Sequence, residues 1–259
     1  MRPVVLCFSG LDPSGGAGLQ ADIEAIAAQG AHAAVVRTAL TIQDSQRVYG
    51  FHPVDPDFLK QQAEVVLADL PVRAIKCGML ASPEVVAMVK SVCEAHPGLP
   101  LVLDPVLAAN SGGSLARPEM TRALAALFPF AKVITPNTPE ARWLSGQEDL
   151  DDALNALHGL GARAVLMKGG HEAGDLIVNR LTVDGDLRQT SQWPRLPGEY
   201  HGSGCTLASA LAACLALGLD LPIAVTRAEA WLHGALRDAD FPHSGGQGIP
   251  RRITPDFPC

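Results

Sequence analysis

The sequence predicts an α/β fold in which a central, mostly parallel sheet carries helices on both faces. Short apolar runs alternate with longer amphipathic stretches along most of the chain, the pattern that successive strand–helix units leave behind. Several of these runs are rich in Val and Ile, as strands covered on both faces are. The chain has 259 residues, 47% hydrophobic and 18% charged. A single domain of that size buries about 70–75% of the surface its unfolded chain exposes.

Val4–Phe8 is the first predicted strand, followed by a helix over roughly 16–29. Ala33–Arg37 is the second strand, although Arg37 is out of place in an apolar run. Ala74–Cys77, Leu101–Leu103, Lys132–Ile134 and Ala164–Met167 continue the strand series, with helical patterns near 57–70, 83–95, 118–128, 137–145 and 149–160. The alternation then stops. Leu176–Val183 and Asp186–Trp193 flank Asp184-Gly185, a dipeptide that favours a tight hairpin turn. Two helices close the pattern, near 204–217 and 221–238, and Gly218 ends the first as a C-terminal glycine should. That first helix is small or apolar almost all round, so it is expected to be buried. No linker, repeat or low-complexity segment interrupts the series, and one domain over 1–259 is expected.

Composition excludes several functions. The net charge is −7 without a run of like charges, which argues against nucleic acid as a partner, because phosphate backbones need clustered Lys and Arg. The six cysteines form no CxxC pair, so neither a disulfide framework nor a zinc site is indicated. The N-terminal apolar run, Val4 to Phe8, is too short for a signal peptide or a membrane span. A cytoplasmic protein that does not enter membranes is expected.

Ligands of parallel sheets bind beyond the carboxyl ends of the strands, so the residues following each strand carry the candidate chemistry. After the first strand comes Ser9-Gly10-Leu11-Asp12-Pro13-Ser14-Gly15-Gly16-Ala17-Gly18. A glycine-rich loop opening a helix lets backbone N–H groups approach a ligand. Gly16-x-Gly18-x-x-Ala21 also fits a loose dinucleotide fingerprint, but the glycines come late after the strand and no acidic residue ends the second strand near 36. A purely structural turn is the other reading.

His201-Gly202-Ser203-Gly204-Cys205-Thr206 directly precedes the buried helix. Free amides there converge on one point and suit a phosphate. Cys205, in the first helical turn, would be easier to ionise through the helix dipole; otherwise it is a packed core thiol. Asp104 ends a strand, where a carboxylate suits Mg²⁺ or a phosphate-bound water. Asn137 and Glu140 follow the next strand, as a second set of ligands or merely as a helix cap and a dipole-stabilising first-turn residue. Lys168 is a cation at a strand mouth, facing phosphate or solvent. Neither a Walker A loop nor a G-x-S-x-G elbow occurs.

Together these segments resemble the hydroxymethylpyrimidine/phosphomethylpyrimidine kinases of thiamine biosynthesis. The resemblance is carried by Asp12-Pro13-Ser14-Gly15-Gly16-Ala17-Gly18-Leu19-Gln20-Ala21-Asp22, Thr38-Ala39-Leu40-Thr41-x-Gln43 and Lys76-x-Gly78-Met79-Leu80, then Leu103-Asp104-Pro105-Val106 and Ile134-Thr135-Pro136-Asn137-x-Pro139-Glu140, and finally Val165–His171 and His201–Leu207, in that order. It implies a ribokinase-like fold, a homodimer, and ATP with Mg²⁺ as the phosphoryl donor. It further implies that Gln43 reads the pyrimidine, with Met79, Gly10, Ala17 and Asp22 about the same pocket. Cys205 would act as the base, backed by the amides of Gly202, Ser203 and Gly204. Asn137 and Lys168 would meet ATP phosphates, and Asp104 and Glu140 the metal. Leu11, Ser203 and Asn110 depart from the family's usual Ser or Thr, Thr, and Lys. The nearest rival is a pyridoxal or pyridoxine kinase on the same scaffold, whose substrate is also a nitrogen heterocycle bearing a hydroxymethyl group. From another class, a dinucleotide-dependent oxidoreductase competes, as does a non-catalytic ligand sensor.

Overall fold

A computed structural model describes residues 1–107, 118–243 and 246–253; Asn110, at one of the family departures, lies outside them. Nine strands form one sheet: β1 (Val4–Leu11), β2 (His32–Gln43), β3 (Val48–Pro53), β4 (Val72–Cys77), β5 (Leu101–Leu103), β6 (Ala131–Ile134), β7 (Ala164–Met167), β8 (Leu176–Val183) and β9 (Asp186–Pro194). Their spatial order is β3-β2-β1-β4-β5-β6-β7-β8-β9. β2, β1, β4, β5, β6 and β7 run parallel, while β3, β8 and β9 pair antiparallel at the two ends.

The helices are α1 (Gly18–Ala28), α2 (Pro56–Asp69), α3 (Pro83–Ala95), α4 (Pro118–Ala125), α5 (Thr138–Ser145), α6 (Leu150–Gly159), α7 (Ser203–Ala216) and α8 (Leu221–Arg237). Alternate side chains of each strand point to opposite faces, and β1 shows the result: Val4, Leu6 and Phe8 pack into one core, Val5 and Cys7 into the other. The first core takes in Leu59, Val89 and Leu157 from α2, α3 and α6. The second takes in Ile26, Leu211 and Val225 from α1, α7 and α8. α7 is buried over nearly its whole length, and Gly218, at φ 86, follows it in the left-handed conformation that favours glycine.

The hairpin forms as its sequence requires: Asp184 and Gly185 both take positive φ, 52 and 88, and Val183 pairs with Asp186. Two expectations need correction. β2 extends six residues beyond Arg37, to Gln43, and pairs with a strand, β3, that the sequence pattern did not reveal. Gly50 and Pro53 disguise β3, yet an edge strand tolerates both. The long β2 also accounts for Arg37, which lies on its outward face with Val35, opposite buried Val36 and Thr38.

Strand order turns back on itself between β1, whose sequential partner β2 lies on one side, and β4 on the other. A crevice opens at such a point, beyond the carboxyl ends of the strands.

Candidate active site

One continuous cavity fills that crevice. Taken in strand order, Gly10, Gln43 and Met79 line it at the β2–β1–β4 end, Asp104 and Lys168 follow β5 and β7 beside Cys205 of α7 in the middle, and Ile177 and Asn179 of β8 stand with Leu232 of α8 at the other end. The residues come from eight elements and loops, which is why their grouping cannot be read from spacing alone.

At the first end, Gly10 leaves room for Met79: a Cβ there would stand 3.2 Å from the Met79 sulfur. The Thr38 hydroxyl donates to the Met79 carbonyl and fixes that wall. Leu11 also lines the cavity, offering apolar contact in place of a hydroxyl. The 12–18 loop is built around Asp12, whose carboxylate accepts from the Ser14 N–H and hydroxyl, both at 2.8 Å, and from the Ala17 N–H at 2.8 Å. It also accepts from Gln43 and sits 2.7 Å from His201 Nε2. These bonds outweigh burial and hold the Asp12 carboxyl well below the usual carboxylate range. The Ser14 and Ala17 amides are therefore turned onto Asp12 rather than outward to a pyrophosphate, the opposite of what a dinucleotide loop requires.

Asp22 corrects an expectation. Its side chain is fully buried beneath the cavity and does not line it. It accepts from Lys76 Nζ at 2.7 Å and from the Ser209 hydroxyl at 2.6 Å, while Lys76 also donates to Ser9 Oγ at 3.0 Å. Gly78 must lack a side chain because a Cβ would come within 2.7 Å of the lysine amine. Asp22 thus compensates a buried cation under the floor, and its role towards a ligand is indirect.

The centre is built on α7. Gly202, at φ 72, turns the chain into the helix without a side-chain cap, so the amides of Ser203, Gly204 and Cys205 keep their capacity to bind an anion. Gly204 faces Lys168: a Cβ there would lie 3.1 Å from Nζ. Lys168 in turn donates to Asp104 Oδ1 at 2.8 Å, and Thr135 Oγ1 lies 3.1 Å from the same oxygen. The Cys205 thiol is pushed up by burial, against the opposing charge of Lys76 and an N–H from Gly18. The dipole-assisted ionisation expected from position alone is therefore outweighed by desolvation.

Asn137 and Glu140 form a reciprocal capping box at the start of α5, with both bonds at 2.8 Å. Glu140 nevertheless lines the cavity, and burial together with the nearby Asp104 charge lifts its carboxyl to about 7, Lys168 acting in the opposite sense. Capping and an electrostatic role thus coexist in one residue. Two repelling carboxylates beside a single lysine form a donor set that fits a hard divalent cation. Among the described residues no group of three or more acidic, His or Cys side chains is arranged to hold a metal by itself. Phosphate and water would have to complete the shell.

The far end was missed by sequence reasoning. Ile177, Leu232 and Leu236 arrive from β8 and α8, and nothing in their sequence neighbourhood marks them. Asn179 accepts from the Gly169 N–H at 3.0 Å and donates to buried Glu229 at 2.8 Å, tying β8 and α8 to the strand mouth that bears Lys168. The Asp12–His201 contact was also missed, although both residues stand inside recognised motifs.

Comparisons with known proteins agree with this geometry. A family model described as phosphomethylpyrimidine kinase matches residues 12–249. The hydroxymethylpyrimidine/phosphomethylpyrimidine kinase of Mycobacterium bovis is 41% identical over 254 residues, covering 95% of this chain and 92% of that protein. The bifunctional thiamine biosynthesis protein ThiED of Geobacter sulfurreducens is 39% identical over 97% of the chain, which spans only 52% of its length. Among solved structures, a phosphomethylpyrimidine kinase from Clostridium difficile superposes with a TM-score of 0.77 at 34% identity, covering 90% of this chain and 99% of that one. The ADP complex of a Bacillus subtilis pyridoxal kinase superposes with a TM-score of 0.87 at 28% identity, covering 97% and 98%. Matched by that model over residues 12–249 and 41% identical to a relative that it covers almost end to end, the chain belongs to the phosphomethylpyrimidine kinase family.

Proposed function

We propose that this chain transfers the γ-phosphoryl group of ATP to the hydroxymethyl group of 4-amino-5-hydroxymethyl-2-methylpyrimidine, and a second phosphoryl group to the resulting monophosphate. The observation that carries the reading is the order of groups along one cavity. By strand order, hydrogen-bonding Gln43 on β2 stands towards one end, the amide turn with Lys168 and Asp104 in the middle, and apolar Ile177, Leu232 and Leu236 of β8 and α8 towards the other. Such an arrangement puts an acceptor hydroxyl and a nucleotide on either side of a phosphate site. Phosphoryl transfer is mostly positioning and charge stabilisation, and the Ser203–Cys205 amides and Lys168 supply both.

Gln43 pairs with the aminopyrimidine edge, since an amide donates and accepts at once. Cys205 Sγ receives the hydroxyl proton, with Lys76 and the Gly18 N–H favouring the thiolate against burial. Asn137 and Lys168 face the phosphates. A Mg²⁺ ion would be held by Asp104 and Glu140, directly or through its water shell, and supplies charge neutralisation on the phosphates.

The chain acts as one kinase domain, supported by its single continuous sheet. It pairs with a second copy through the outward faces of β2 and β3, where Ile42, Tyr49 and Leu40 stand 69%, 56% and 41% exposed. A cytoplasmic setting is supported by the free thiols of Cys7, Cys77, Cys93, Cys205 and Cys214; no helix among the described residues is long and apolar enough to cross a membrane.

Pyridoxal phosphorylation is the second reading, favoured by the likeness to solved pyridoxal kinases. A coupled ATP-turnover assay across hydroxymethylpyrimidine, its monophosphate, pyridoxal and ribose decides. The highest kcat/KM is expected for the pyrimidine, and a preference for pyridoxal would overturn the main reading.

A further inference from the structure

The family match ends at Ile249, and the chain around and just beyond that residue packs back against the segment leading into α7. Gly248 N–H donates to the Glu199 carbonyl at 2.7 Å, and His201 N–H donates to the Gly248 carbonyl at 2.9 Å. Ile249 and Asp240 exchange two backbone bonds, and Arg251 N–H donates to the Ala235 carbonyl at 2.9 Å. The tail is thereby laced along the strand of chain that leads into the Gly202 turn.

Its next residue, Arg252, is 3% exposed. Nε donates to Thr206 Oγ1 at 2.8 Å, and Thr206 Oγ1 donates to the Gly202 carbonyl at 2.7 Å. Nη2 donates to the Gly16 carbonyl. Nη1 lies 3.2 Å from Glu24 Oε2 on α1 and 3.5 Å from the Gly15 carbonyl. One guanidinium thus grips the 12–18 loop and the first turn of α7 together.

The two loops have no slack where they meet. A Cβ on Gly202 would stand 2.1 Å from the Gly16 carbonyl oxygen, and one on Gly16 would stand 2.2 Å from the His201 ring. On the cavity side the Asp12–His201 contact joins the same two segments. Burying a charged side chain is costly unless it is paired and hydrogen-bonded, and here each arm of the planar fork has a partner in a different segment, a geometry lysine cannot reproduce.

We propose that Arg252 is a positioning residue: it clamps the 12–18 loop to the first turn of α7 and so holds the Ser203–Cys205 amides in register with the cavity. The functional consequence rests on the kinase reading above, whereas the clamp itself does not. Misplacement of a catalytic group by about 1 Å costs on the order of 10²-fold in rate, so loss of the fork should appear in kcat more than in substrate binding.

The test uses Arg252→Met, Arg252→Lys and the surface control Arg251→Ala in the full chain. Amide hydrogen exchange should speed up in Arg252→Met at Gly16–Gly18 and Ser203–Cys205 while α3 stays protected. In steady-state kinetics its kcat should fall about 10- to 100-fold with KM for the pyrimidine within about threefold. Arg252→Lys should recover only part of kcat, millimolar guanidinium should raise kcat in Arg252→Met, and Arg251→Ala should match wild type. Unchanged exchange at both loops in a folded Arg252→Met would overturn the clamp, as would equal loss of kcat and gain in KM. If Arg252→Met fails to fold, Thr206→Val, which cuts the link to the Gly202 carbonyl, decides on the same readouts. Failure of the kinase reading would show separately, as a wild type inactive on every substrate whose exchange pattern still responds to Arg252.

Discussion

Replacing Lys168 with methionine tests the electrostatics of the centre most severely. Its ammonium lies 2.8 Å from Asp104 Oδ1, with side chains only 14% and 3% exposed. At an effective dielectric constant of about 20, an ion pair at that separation is worth about 6 kcal/mol of attraction, part of which is offset by desolvation of the lysine. Removing one partner of a buried pair typically costs about 3–5 kcal/mol, and that loss is expected here.

The pH dependence gives the sharper signature. Glu140, at about 7, is held down by Lys168, so in Lys168→Met its carboxyl rises further. A carboxyl whose folded value lies above its unfolded one makes the native state bind extra protons. Stability is then fully present below the unfolded value and is lost as pH rises through the folded one. The deficit of Lys168→Met against wild type should be smallest near about pH 5 and largest near about pH 8. Urea unfolding of both proteins at three pH values measures it. A deficit below about 1 kcal/mol, the worth of an exposed pair, or one independent of pH, would refute the description of the centre as a buried, lysine-compensated carboxylate pair.

Cys205→Ala should leave pyrimidine binding nearly intact and cut kcat by about 10²–10⁴-fold. Because burial raises the thiol above its ordinary value of 9.0, wild-type kcat should still be climbing at that pH, and a plateau near neutrality would count against the thiol as base. Gln43→Leu should lower kcat/KM for hydroxymethylpyrimidine about ten- to a hundredfold by stranding hydrogen-bonding groups in the pocket; equal loss on pyridoxal would show that Gln43 does not discriminate the rings. Lys76→Met strands Asp22 beneath the floor and should cost about 3–5 kcal/mol in denaturant unfolding, with Lys76→Met/Asp22→Leu regaining most of it.

Local chemistry made much of this protein legible in its sequence. The strand–helix alternation, the Asp-Gly hairpin and the apolar α7 depend on neighbours within a few residues, and each stands where it was expected. The ordered motifs, each sitting after a strand, likewise pointed to one family and to Gly202–Cys205, Asp104 and Lys168 as one site. What escaped was non-local. β3 exists because β2 offers it an edge to pair with, and Asp22 lies under the floor because a lysine from β4 must be neutralised there. Leu232, Asn179 and Arg252 join the site only when separate segments pack together. The Cys205 thiol shows the same division. Its place at a helix start is written in the chain and favours ionisation, but burial is a property of the assembled cavity, and in this fold burial prevails.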